Sequence, residues 1–157
     1  MSGVRKRKGV PSMIMRGRVV LALLVVVGLS LSLTSCSFGG GIDVRGEEYA
    51  FENMPASLAA GEHVLQFTNR GKEPHEMVVV GLSDGATSIG DVLRLPDQEA
   101  MSKLNVVGRS VADPGQQGPD VEAQLKAGKY ALVCFLPVAE SGPAHFTRGM
   151  VHEFTVT

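Results

Sequence analysis

Tyr130-Ala131-Leu132-Val133-Cys134-Phe135 is a short apolar run of strand character, entered through the tight turn Ala127-Gly128-Lys129, and Val151 to Val156 forms a second run that closes the chain. The fifteen residues Phe135 to Gly149 fold back between them and carry Pro137, Gly142, Pro143 and Gly149 as stiff or tight-turning positions. Working outward, His63-Val64-Leu65-Gln66-Phe67-Thr68 alternates with period two, Asn69-Arg70-Gly71-Lys72 turns the chain, and Glu76 to Leu82 holds three consecutive valines of a more fully buried strand. Tyr49 to Phe51 and Val121 to Leu125 add two further runs, and no residue block repeats. The fold expected is all-β, a Greek-key antiparallel β-sandwich.

One segment departs from this pattern. Ser88 to Val107 has Ile89, Val92, Leu93 and Leu95, then Met101, Leu104 and Val107 at helix-like spacing, interrupted by Pro96. The expectation is a helical insertion over about 88–107, made of two short helices. Asp97 would cap the second and Gly108 end it, with Met101 in the core.

The N-terminus has the makings of an export signal. Arg5, Lys6, Arg7, Lys8, Arg16 and Arg18 make a basic region, and Val19 to Leu33 is an almost unbroken apolar run. That run falls short of the roughly 20 residues that span a bilayer, and it leads into Leu33-Thr34-Ser35-Cys36. The sequence here resembles a bacterial lipobox. The resemblance implies a signal peptide over 1–35, lipidation of Cys36 on its sulfur, and attachment to the outer face of the cytoplasmic membrane. An ordinary cleaved signal or an uncleaved anchor would equally place the domain outside the cytoplasm. Residues 36–42, rich in glycine after Cys36, then form a flexible tether, and the domain covers 43–157. Without the signal, nine Lys and Arg stand against sixteen Asp and Glu, a net charge of about −7. That sign argues against nucleic acid and favours a cationic partner face.

With Cys36 lipidated, Cys134 is the one remaining thiol and has no disulfide partner. A lone cysteine in an oxidising compartment is buried and inert, paired with another molecule, or held by a metal. Cys134, His145 and Met150 follow one another through the last loop, and His75, after Pro74, heads the strand expected beside the Cys134 strand. Thiolate and thioether suit Cu(I) and imidazole suits Cu(II), so such a set serves both oxidation states with little rearrangement. Methionine is a poor zinc ligand, and a structural zinc site would want a closed tetrahedron.

Phe67-Thr68-Asn69 through Pro74-His75, then Tyr130 to Cys134, His145 and Gly149-Met150, resembles the cupredoxin family of plastocyanin and azurin, over most of residues 43–157. The resemblance implies one type 1 copper, with His75 and His145 as imidazole ligands, Cys134 as thiolate and Met150 as axial ligand. Ten residues separate Cys134 from His145, more than small blue-copper proteins usually have, and nearer to the copper domain of nitrite reductases. Glu76 is also unusual beside His75. Its carboxylate is read as pointing to solvent, with its backbone N–H available to the Cys134 sulfur. His63 and His152 fall outside the pattern.

The chain has four histidines and no His-x-His pair for catalytic copper, no Gly-x-Ser-x-Gly elbow and no His-Glu-x-x-His helix, so it does not read as an enzyme. The leading expectation is a membrane-tethered electron carrier acting between redox partner proteins. The alternatives are a copper-handling lipoprotein for delivery, storage or sensing, and a metal-free β-sandwich binding module.

Overall fold

The computed structural model describes residues 41–83 and 88–157. The expected signal, Cys36 and most of the expected tether lie outside the described residues. Among the described residues nine strands run in chain order: β1 (Ile42–Glu47), β2 (Ala50–Glu52), β3 (Ser57–Leu58), β4 (Gly61–Asn69), β5 (His75–Leu82), β6 (Leu104–Ala112), β7 (Val121–Leu125), β8 (Gly128–Val133) and β9 (Val151–Val156). They form a four-stranded sheet in the order β2-β1-β4-β7 and a five-stranded sheet in the order β3-β9-β8-β5-β6.

The expected β-sandwich is therefore present, with one refinement. Both sheets are mixed, because β1 pairs parallel with β4 and β3 pairs parallel with β9. All the remaining strand pairs are antiparallel, including β8 with β9 and β5 with β8. The alternation of β4 turns Leu65 and Phe67 inward, where they meet Val44, Phe51, Met77, Val79, Leu132 and Phe154 from both sheets. Burial of this apolar surface is the main stabilising term of the domain.

The three valines of β5 follow from cover on both faces of the five-stranded sheet. Met77 and Val79 face the other sheet, while Val78 and Val80 join Ala131 and Val133 in a second apolar cluster on the outer face. That outer cluster is roofed by α1 (Ile89–Val92) and α2 (Asp97–Lys103) through Ile89, Val92 and Ala100. Ser88 caps α1, its Oγ accepting from the Asp91 N–H at 3.1 Å.

The helical insertion is shorter than 88–107. Helix ends at Lys103, and Leu104, Asn105 and Val106 pair with Leu82, Gly81 and Val80 as the start of β6. A β-bulge at Val79/Val80 leaves Val107 unpaired in this register and places Gly108 opposite Val79. Asp97 is the first residue of α2, with Pro96 in the cap position and no side-chain cap. A proline fits there because its missing N–H would find no partner at a helix start. Met101 is exposed rather than in the core, since Ala100 and Leu104, four apart, take the sheet-facing side of this turn.

Candidate metal centre

The site is assembled at one end of the sandwich by two neighbouring strands and one loop. His75 is the first residue of β5, and Cys134 immediately follows β8, which pairs with β5 from Val78↔Val133 onward. The turn before His75 is pinned by buried Asn69, whose Nδ2 donates to the carbonyls of Glu73 (2.8 Å) and Ala112 (2.9 Å) and whose Oδ1 accepts from the Gly71 N–H (2.8 Å).

The long gap between Cys134 and His145 is closed locally. Pro137 and Ala144 form an antiparallel bridge, and the Val138 N–H donates to the Pro143 carbonyl at 2.9 Å. The extra residues thus make their own small excursion, and the chain re-enters beside Cys134. There the His145 N–H donates to the Leu136 carbonyl (2.8 Å) and the Phe146 N–H to that of Cys134 (2.9 Å). His145 begins a single 3-10 turn, His145–Arg148, which ends at Gly149 with φ 109°, a left-handed conformation suited to glycine. Met150 is held between the ends of this loop: its N–H donates to the His145 carbonyl and its carbonyl accepts from the Cys134 N–H, both at 3.2 Å.

All four side chains singled out in the sequence are buried: His75, Cys134 and Met150 are 0% exposed and His145 is 1% exposed. Donor atoms of His75, Cys134 and His145 lie within 4.8 Å of one another. Nδ1 of His75 is 3.0 Å from Nδ1 of His145, which is 3.4 Å from Cys134 Sγ. At that separation either one ring donates a proton to the other or both inward lone pairs meet a cation. Two inward imidazole nitrogens, a buried sulfur and an adjacent buried methionine are a donor set that fits one type 1 copper. His63, bonded to the Ala59 carbonyl at the surface, and His152 on β9 give no atom to this group.

Burial sets the electrostatics of the donors. It pushes the Cys134 thiol up, although the backbone N–H groups of Glu76 and Leu136 pull the other way. A metal ion therefore has to displace the thiol proton. Burial likewise pulls His75 down, against a hydrogen bond to Glu48 that raises it, and a lowered value favours the neutral imidazole that metals take.

The surroundings contain residues that the sequence did not single out. The Glu76 N–H donates to Cys134 Sγ at 3.4 Å, the contact expected of it. Its carboxylate, however, is buried rather than solvent-facing. Oε1 accepts from the Phe135 N–H at 2.9 Å and Oε2 pairs with Arg109 across the β5–β6 pair. Tyr49 packs edge-on against the His145 ring, with centroids 5.0 Å apart, lies beneath Arg148, and donates its hydroxyl to Glu73 at 3.3 Å. Nε2 of His145 is 3.2 Å from Glu73 Oε2 but is not aligned for a hydrogen bond, so this buried nitrogen has no bonded partner. Of the residues around the donors, Asn69, in the Asn-Arg-Gly-Lys turn, and Glu76, beside His75, carried a sequence signal, whereas Glu73, Arg109 and Arg148 did not.

The sandwich with a buried imidazole, thiol, imidazole and thioether set at one end has the cupredoxin fold. Among solved structures it is similar to dithionite-reduced auracyanin from the photosynthetic bacterium Roseiflexus castenholzii, at 20% identity and TM-score 0.51, covering 76% of this chain and 99% of that one. It is also similar to auracyanin B, at 23% identity and TM-score 0.52, covering 74% and 88%. Auracyanin A, described as a "blue" copper protein from Chloroflexus aurantiacus, aligns at 21% identity and TM-score 0.49, covering 75% and 98%. No protein-family model and no curated protein sequence matches the chain.

Proposed function

We propose that this protein is an extracytoplasmic type 1 copper protein, tethered to the membrane through Cys36, that carries single electrons between redox partner proteins. His75, Cys134 and His145 would be the strong ligands and the Met150 thioether the weaker fourth. The observation that carries this reading is the convergence of the two Nδ1 atoms and the Cys134 sulfur, within 4.8 Å, in a site closed to solvent. When bound, copper supplies the one-electron couple. The chain's own residues supply rigidity: the backbone hydrogen bonds among Cys134, His145, Phe146 and Met150 hold the donors in one arrangement for both oxidation states. Little rearrangement means a small barrier to electron transfer.

A handling role would favour exposed methionines around an open site. Among the described residues Met54, Met77 and Met150 are buried and Met101 alone is exposed. The tether rests on sequence: a basic region, an apolar run and the Leu33-Thr34-Ser35-Cys36 segment. Among the described residues no helix is long and apolar enough to cross a membrane.

Optical and electron-spin spectra of the copper-loaded protein test the centre. An intense thiolate-to-Cu(II) band, lost in Cys134→Ser and altered in His145→Ala but unchanged in His63→Ala, is the expected result. A colourless protein that binds Cu(I) tightly would instead indicate handling, and failure to bind either ion would leave a binding module. Labelling with a radioactive fatty acid tests the tether: the wild-type protein should carry the label and Cys36→Ser should not, and an unlabelled wild type would overturn lipidation.

A further inference from the structure

We infer that Glu48 is a positioning residue for His75, its carboxylate orienting the ring through Nε2 and favouring the oxidised metal; this rests on the copper reading above. Glu48 directly follows β1, and its Oε1 accepts from three donors: the Lys72 N–H at 2.6 Å, the Glu73 N–H at 2.8 Å and His75 Nε2 at 3.2 Å. The turn that Asn69 pins is therefore wrapped around this oxygen. Gly71 makes the approach possible. A Cβ on residue 71 would lie 2.7 Å from His75 Nε2 and would collide with Glu48 Oε1, so glycine is required for the two groups to meet.

The arrangement has a chemical consequence for the ring. His75 directs Nδ1 at the other donors, so its proton belongs on Nε2, where an acceptor fixes both the tautomer and the ring plane. An anionic acceptor also makes the imidazole more electron-rich, which stabilises Cu(II) more than Cu(I). The two histidines differ in this respect. Glu48 is bonded to His75, whereas the Glu73 carboxylate near His145 is out of line.

The test uses the full-length copper-loaded protein. Glu48→Gln keeps the shape and an oxygen for the backbone N–H groups but removes the charge. Glu48→Ala removes the acceptor as well. Glu47→Gln removes an equal charge one residue away, from an exposed side chain. Loss of a carboxylate behind a ligating histidine costs at least about tenfold in metal affinity, here mainly for Cu(II), so Glu48→Gln should raise the midpoint potential by about 59 mV. Glu48→Ala should raise it too, and the Cu(I) form should lose the slowly exchanging ring Nε2–H resonance of His75. Glu47→Gln should leave the potential in place. A wild-type potential in both Glu48 variants, or an equal rise in Glu47→Gln, would overturn the inference. If the wild-type protein binds no copper, the reading of the centre fails first and takes this inference with it, whereas bound copper with an unmoved potential defeats the inference alone.

Discussion

Glu76 links the donor set to the surface. Its N–H points at the Cys134 sulfur, its carboxylate holds the next peptide at Phe135, and its second oxygen is paired with Arg109, whose side chain is 57% exposed. Removing the guanidinium leaves a buried carboxylate with one backbone donor. Such breakage costs about 3–5 kcal/mol when both charges are buried, and the exposure of Arg109 lowers the expectation to about 1–2 kcal/mol. Urea unfolding of metal-free Arg109→Ala against wild type checks this, and an unchanged midpoint would show that water replaces the pair. Glu48 gives the metal-free protein a pH dependence whose sign is fixed. Burial works to raise its carboxyl, but the backbone N–H groups of Glu73 and Lys72 and the His75 ring bring it from 4.5 down to about 2. A carboxyl lowered by folding stabilises fully above its unfolded value, and this contribution is lost as pH falls from about 5 towards 2. Solvent screening of a side chain that stays partly exposed limits the effect to about 1 kcal/mol. Comparing unfolding midpoints at about pH 6 and pH 3, wild type should lose more stability than Glu48→Gln by that amount; equal losses would assign the acid sensitivity to other groups.

The loop between β8 and β9 was legible because its residues carry their geometry locally: prolines and glycines punctuate it, and apolar runs bound it. Gly149 shows how much hangs on one such position. With φ at 109° it ends the turn that starts at His145 and sets the start of Met150. Gly149→Ala should cost about 1–2 kcal/mol and also shift the copper spectrum, read by thermal unfolding and absorption on the same sample. β6 was not legible. Leu104 and Val107 lie three apart and match a helical period, but pairing with β5 overrides it, and no local pattern announces a partner more than twenty residues away. The same holds for β1, whose partner β4 is parallel and distant in sequence, and for Glu76, whose burial depends on Arg109 on another strand. The two helices cover the outer face of the five-stranded sheet, whereas Cys134 and Met150 belong to the apolar cluster between the sheets. Ile89→Ala, at a fully buried position of α1, should therefore cost about 2–5 kcal/mol and leave the copper spectrum unaltered. A shifted spectrum would mean that the roof and the metal end are coupled.

Charge acts over the whole domain. Of fifteen Lys and Arg, six precede Cys36, while all sixteen Asp and Glu follow it, so cleavage before Cys36 would convert a nearly neutral chain of −1 into one of about −7. A charge of that size steers diffusing partners over distances set by the Debye length, about 10 Å at 0.1 M salt and about 30 Å at 0.01 M. The consequence is kinetic and does not depend on which protein is the natural partner. Electron exchange between the copper-loaded protein starting at residue 36 and a small cationic complex should slow as salt rises from about 0.01 M to 0.1 M, while exchange with an anionic complex should quicken. Stopped-flow rates at several ionic strengths give both slopes. Opposite slopes would locate the steering in the domain's negative charge and predict a basic docking face on its physiological partner. Two flat lines would mean that the acidic residues are too scattered to act together at the metal end.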